Sequence, residues 1–363
     1  MKKIFSRCAL ILMGALAFAS CSDDDTNDDP VCPPSTTIAT DGVFILHEGS
    51  YFMGVAGSLS YLDYTTWDVS NGLFLSKNGR ELGGTPNDIL IYGSKMYIVT
   101  TDENRVEVVD ANTVTSLGYV EMTQPRKLAA CEGYVYATSY EGIVSRIDTT
   151  SLSVVAQSEK IGGNLEGITT LNGYLYVCNA WNADYTYNTN VVKLNASDLT
   201  KVKDIEVRSN PTRIINDGTH IYLQSTGNYY DIPSALQRID VDDNVAVLTE
   251  NVTYMAYYDN KIYCVYQNYG DKDIYKVYNL LSGEEEDLPV NADNELFSAC
   301  AIAVDPNTGI LYVSSYVEGG YGYPSYTDPS YIVAYNMPDG TYTKFFTGVG
   351  PTSFAFKTSA HNL

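Results

Sequence analysis

The chain has 363 residues, a net charge of −22 at pH 7 and 32 tyrosines against 10 phenylalanines and 2 tryptophans. So negative a field repels polyanions, which excludes nucleic acid and an anionic membrane surface as partners. The length allows a large core, and the tyrosine excess suits strands and half-wet surfaces, where the ring packs and the hydroxyl stays hydrated.

The N-terminus reads as a secretory signal over residues 1–20: a basic MKKIFSR, an apolar CALILMGALAFA and small residues before Cys21. Leu16-Ala17-Phe18-Ala19-Ser20-Cys21 resembles a bacterial lipobox, loosened by Phe18 where an aliphatic residue is usual. The resemblance implies cleavage before Cys21 and lipidation of that residue, a firm membrane anchor because each buried CH₂ contributes about 0.8 kcal/mol. Loss of Lys2, Lys3 and Arg7 takes the charge from −22 to −25. Residues 21–41 open with SDDDTNDDPVCPPSTT, which lacks apolar periodicity and reads as a disordered acidic tether. An acidic run directly after the lipidated cysteine resembles the surface-export signal of Bacteroidetes lipoproteins.

Beyond the tether the sequence repeats. GVFILHE, SKMYIVT, GYVYATS, GYLYVCN, THIYLQS, NKIYCVY and GILYVSS are short strands centred on Phe44, Tyr97, Tyr136, Tyr176, Tyr222, Tyr263 and Tyr312, 39 to 53 residues apart. Each is followed by a second strand (SLSYLD, RVEVVD, IVSRID, VVKLN, LQRID, IYKVYN, IVAYN), often ending in Asp or Asn before a turn. Several are preceded by a Pro-led strand, as in TPNDILIY, QPRKLAA, NPTRIIN and GPTSFAF, with Pro at the strand start where its missing N–H does least harm. A unit of about four strands over roughly 45 residues, seven times over and without long-helix periodicity, predicts an all-β, seven-bladed β-propeller over 42–356. The first unit lacks a leading strand and the last Pro-led segment, 350–356, lacks a following one. Both anomalies vanish if the C-terminal segment supplies the innermost strand of the first blade, which leaves 357–363 as a tail.

With strands lettered A to D from the axis outward, the B–C and D–A loops share one face and the A–B and C–D turns the other. The B–C segments EGSYFMGVAG, SYEG, NAWNADYTYNTN, STGNYYDIPS, YQNYGDKD and SYVEGGYGYPSYTDPS are rich in aromatics, whereas TDEN of the second blade has none. Tyr51, Tyr140, Trp181, Tyr185, Tyr187, Tyr229, Tyr230, Tyr269, Tyr316, Tyr321 and Tyr323 are therefore expected as an aromatic rim on one face. Residues opening the A strands, Asn87, Asp88, Arg126, Glu166, Arg213, Tyr254 and Thr352, are expected as its floor. Rigid rings around adaptable polar groups suit a large amphipathic molecule better than a small metabolite.

IYGSKMYIVTTDENRVEVVDANT at 91–113 resembles the YVTN-type repeat of YncE-like surface propellers. Together with the lipobox, the acidic tether and the opening GVFILHEGSYFMGVAGSLSYLD, the chain resembles the Bacteroidetes cell-surface propeller lipoproteins that include the cobalamin-capturing BtuG-like family. That resemblance implies an outer-membrane, lipid-anchored protein exposed at the cell surface. It also implies cobalamin as a ligand rather than a cofactor, and a TonB-dependent transporter as partner. No cobalamin-specific motif stands in the sequence, so a glycan-binding or glycan-processing lipoprotein and an adhesive, protein-binding propeller remain alternatives.

Signals of catalysis are poor. The three histidines, His47, His220 and His361, are not spaced as a metal centre, no HExxH or GxSxG occurs, and no phosphate-binding glycine motif sits between strand and helix. Abundant carboxylates make any single acid/base pair arbitrary, so a lyase or lactonase stays open. Asp271 with Asp273, and Asp240, Asp242 and Asp243, read as solvated turns rather than calcium loops. Cys131, Cys178, Cys264 and Cys300 lie in apolar strand patterns and read as buried thiols.

Overall fold

The computed structural model describes residues 36–267, 272–291 and 296–362. Cys21, the signal, most of the tether, Tyr269 and Asp271 lie outside the described residues. The chain forms seven antiparallel sheets of four strands, each a blade of a β-propeller. Blade 1 takes its inner strand from Pro351–Asn362, followed outward by Thr36–His47, Ser58–Asp63 and Asp68–Ser70. The inner strands of blades 2 to 7 are Pro86–Tyr92, Pro125–Cys131, Asn164–Leu171, Pro211–Asn216, Tyr254–Tyr258 and Ser298–Val304. The ring is therefore closed by the two ends of the chain, as the unpaired first and last segments required.

The expected boundaries of 42–356 are too narrow. Thr36–Thr40 pairs with Thr358–Asn362 beyond a bulge at Thr40/Gly42, so both flanks continue as a two-stranded ribbon. The alternation in TTIAT and KTSAHN, with a β-branched residue or Ala at most positions, supports strand pairing. The single α-helix among the described residues is Leu73–Asn78, between blades 1 and 2. It buries Phe74 and ends at Gly79 in a left-handed conformation.

Seven hydrophobic clusters hold the ring, one at each boundary between neighbouring blades. The central aromatic of every B strand sits in one of them. Phe44, Tyr97, Tyr136, Tyr176, Tyr222, Tyr263 and Tyr312 are each at most 5% exposed and pack against the next blade. Several of their hydroxyls also reach a partner. Tyr136 donates to the Ala196 carbonyl at 3.0 Å, Tyr312 meets the Tyr64 hydroxyl at 2.6 Å, and Tyr222 donates to Asp217 at 2.9 Å. The C–D turns are capped as their sequences suggest: Asp110 accepts the N–H groups of Asn112 and Thr113, and Asp148 those of Thr150 and Ser151. On the C–D turn of blade 1, Trp67 stacks on Tyr64 of the same turn at 5.3 Å. The four cysteines of the blades are free thiols, three buried and Cys131 half-buried.

At the closure, His47 is wholly buried, with Nδ1 3.2 Å from the Ser58 carbonyl and Nε2 without a partner. Burial holds its pKa at about 4, below the usual 6.5. The native state thus refuses a proton that the unfolded chain takes up. The contribution is whole above pH 6.5 and is lost as pH falls from 6.5 towards 4, by up to about 3 kcal/mol. Denaturant unfolding at stepped pH should show a steeper decline over this window for the native protein than for His47→Gln. A second test concerns the closure. Removing residues 351–363 exposes the edge of Thr36–His47 and should abolish cooperative unfolding or cause aggregation; a truncated chain that melts like the whole one contradicts the role given to that strand.

Candidate functional site

The rim follows from the blade topology. Of the exposed aromatic side chains among the described residues, Tyr51, Phe52, Tyr185, Tyr187, Tyr229, Tyr230, Tyr321, Tyr323 and Tyr326 all belong to B–C loops or their flanks. Tyr119 and Phe346 lie on outer strands, and no A–B or C–D turn contributes one. Tyr140 and Tyr316, also expected in the rim, are half-buried at its inner edge.

Three of these rings stand on strained backbone. Tyr185, Tyr229 and Tyr321 have φ of 65°, 60° and 63°. A bulky L-residue in this region costs about 1–2 kcal/mol relative to right-handed backbone, and glycine or asparagine is the usual occupant. Val114 and Leu199 also have positive φ, but their side chains are buried in the blade clusters, which offsets the strain. The three tyrosines are 78, 75 and 101% exposed and gain little from the fold. Their loops are nevertheless fixed. Asn228 accepts the N–H groups of Tyr230, Asp231 and Ile232, and Asp184 accepts both the N–H and the hydroxyl of Thr186.

Trp181 is not in an open loop. It ends strand Tyr174–Trp181, pairs with Tyr187 across the hairpin and is half-buried. Its ring meets Tyr140 edge-on at 5.4 Å and stacks on Tyr185 at 5.7 Å. Tyr140 in turn lies under the Arg126 guanidinium at 4.5 Å. A continuous line of rings thus runs from the axis to the exposed rim across blades 3 and 4, and a shorter one joins Tyr187 to Tyr229 at 6.1 Å. A groove of about 500 Å³ opens on the same face beside blade 5, lined by Tyr229, Tyr230, Asp231, Ser234, Thr253 and Gln267 among others.

The floor is ionic. Arg126 binds the buried Glu166 through Nη2 at 3.1 Å, and the Tyr140 hydroxyl donates to the same carboxylate at 2.8 Å. Arg213 lies over Tyr254 at 4.4 Å and donates to the Thr253 carbonyl at 3.2 Å. Burial raises the Tyr254 pKa to about 12 and pushes that of Tyr140 up. Two expected floor residues serve the scaffold. The Asn87 amide donates to the Thr85 carbonyl and the Thr101 hydroxyl, while Asp88 ties blades 1, 2 and 3 together by accepting from Ser353 and the Leu128 N–H. Thr352 adds a buried hydroxyl without a partner.

The sequence reading missed Glu48, Lys127 and Tyr326. Lys127 neighbours Arg126 and donates to the Asn87 carbonyl at 2.6 Å, 4.0 Å from Asp88. Glu48 follows directly on the blade 1 B strand, a position that only the register of the closed ring turns toward the axis. The other singled-out groups lie elsewhere. Asp243 is held by Lys193 and Lys203, and His220 lies beside Asp217 on the opposite face.

The family described as Domain of unknown function (DUF5074) matches residues 41–346. No curated protein matches the chain. Among solved structures, a quinonprotein alcohol dehydrogenase-like protein from Bacteroides thetaiotaomicron superposes with a TM-score of 0.62 at 18% identity, covering 87% of this chain and 78% of that one. Hydrazine synthase from Kuenenia stuttgartiensis gives 0.59 at 17% identity, covering 77% and 95%. Likeness at these identities is a likeness of fold.

The buried pair predicts an asymmetric mutational response. Arg126→Ala leaves Glu166 charged and unpaired and should cost about 3 kcal/mol of stability. Adding Glu166→Gln should recover part of that loss. Equal losses in the single and double variants, measured by denaturant unfolding, would show that the two side chains do not act as a pair.

Proposed function

The chain belongs to the family described as Domain of unknown function (DUF5074), and from the face it carries we propose that it captures a large amphipathic ligand on the aromatic rim. Cobalamin is the first candidate. A TonB-dependent transporter is the proposed recipient, and lipidation at Cys21 the proposed means of holding the protein at the outer-membrane surface.

The observation that carries this reading is the set of strained, exposed tyrosines at 185, 229 and 321. Glycine is the usual occupant of such backbone; Gln124 and Glu132 also hold it in exposed turns, but as flexible polar side chains rather than large rings. Rings kept on unfavourable backbone by fixed loops are preorganised, so less ordering entropy is lost on binding. Blade 4 faces blade 7 across the axis and blade 5 lies two places from it, so a ligand touching all three rings must extend over the central depression. The ionic floor adds directional polar groups suited to a molecule fringed with amides. The rim also suits sugars, which stack on exposed rings, and a saccharide bound beside Tyr229 and Tyr230 is the second reading.

Calorimetric titration of the full-length protein with cyanocobalamin tests the first reading. Tyr229→Gly and Tyr321→Gly should each weaken binding about tenfold, as interface tyrosines do. Both should melt at or above the native temperature, because glycine relieves the strain. Absence of cyanocobalamin binding, with saturable binding of a soluble oligosaccharide, would move the assignment to the second reading.

A further inference from the structure

Glu48 stands apart from every other charged group of the floor. Its backbone is pinned at the closure, with its own N–H donating to the Gly350 carbonyl at 2.8 Å and that of Gly49 to Val349 at 3.0 Å. Its side chain is half-buried. Among the described residues its carboxylate accepts no hydrogen bond and joins no ion pair within 4.0 Å, while the cations around it are engaged elsewhere. Arg126 is committed to Glu166, and Lys127 to the Asn87 carbonyl and Asp88.

The groups that interact electrostatically with Glu48 come from around the ring. They include Asp102 of blade 2, Arg126 and Lys127 of blade 3, Tyr254 of blade 6, and Cys300 and Tyr316 of blade 7. A carboxylate felt from so many directions lies near the axis, at the centre of the rim. Burial raises its pKa, and Arg126 and Lys127 pull the other way. A half-buried carboxylate with no donor from the described residues gains where a ligand supplies one.

Resting on the capture function proposed above, we infer that Glu48 is the axial recognition residue, accepting a hydrogen bond from a neutral N–H or O–H of the ligand. The charge pattern selects that class. A ligand carboxylate meets repulsion from Glu48, and Arg126 and Lys127 already offset part of the charge for which this carboxylate would seek a cation. A primary amide or a hydroxyl avoids that repulsion and donates to the carboxylate.

Glu48→Gln and Glu48→Ala in the full-length protein separate this role from a structural one. Without ligand, Glu48→Gln should melt at or above the native temperature; a lower melting point means that the carboxylate is already paired in the fold and overturns the proposal, whatever the ligand. Cyanocobalamin should bind Glu48→Ala about tenfold more weakly or worse, the loss expected for a hydrogen bond to a charged group. A cobalamin derivative with one side-chain amide hydrolysed to carboxylate should be discriminated against by the native protein and less so by Glu48→Gln. Native affinity in both variants overturns the role of Glu48 while leaving capture intact. If the native protein binds no cyanocobalamin, the cobalamin reading falls, and maltohexaose, a neutral hydroxyl donor, takes its place as probe. Weaker maltohexaose binding by Glu48→Ala then supports the role of Glu48, and unchanged or absent binding overturns it.

Discussion

The whole ring depends on one contact repeated around it: the aromatic at the middle of each B strand, wedged against the next blade. A twisted four-stranded sheet has two faces to cover and no helices with which to cover them. Phe44, Tyr97, Tyr136, Tyr176, Tyr222, Tyr263 and Tyr312 fill the seven interfaces, and each interface is a separate small core. Tyrosine suits the wedge because its ring fills the boundary while its hydroxyl extends to a polar partner, as Tyr136 does at Ala196 and Tyr312 at Tyr64. With stability spread around the perimeter, the loops of one face are left free to vary in length and composition.

Those loops show what the ring permits. A–B and C–D turns are short and closed by their own Asp, Asn and Thr side chains. B–C loops carry the exposed rings, three of them on left-handed backbone. The same chain uses positive φ in two ways. At Val114 and Leu199 the side chain is buried and the core sustains the conformation, whereas at Tyr185, Tyr229 and Tyr321 the ring faces solvent. On the capture function proposed above, rigid loops that hold exposed rings and a floor already organised by Arg126 and Glu166 form a surface prepared before its ligand arrives.

Much of this was legible before any coordinates. Blade number followed from the spacing of the B-strand aromatics, and closure from an unpaired segment at each end of the chain. The sorting of aromatics to one face followed from which loops held them, since strand order alone decides the face. Three-dimensional register was not legible. The position of Glu48 depends on a partner strand three hundred residues away, and Asn87 looked like a floor group although its amide is taken by Thr85 and Thr101. Trp181 read as a loop residue because polar neighbours surround it. Its pairing with Tyr187 and its contacts with Tyr140 and Tyr185 arise only once the hairpin of blade 4 stands beside blade 3. Backbone strain leaves no mark in composition, and tyrosine gives no hint of a left-handed conformation.

Closure by the two chain ends also sets a timetable. Thr36–His47 precedes the other six blades in the chain, and the strand that completes its blade, Pro351–Asn362, follows them. Until Pro351–Asn362 is synthesised, blade 1 has no inner strand and the ring has no seventh joint. Bringing ends roughly three hundred residues apart together costs about 3 kcal/mol more in loop entropy than closing a ten-residue hairpin. Blades already formed shorten that search by behaving as preassembled units. A chain emerging from a ribosome therefore stays an open arc until Pro351–Asn362 appears, and the rim face, which needs blade 1 beside blade 7, is completed in one step.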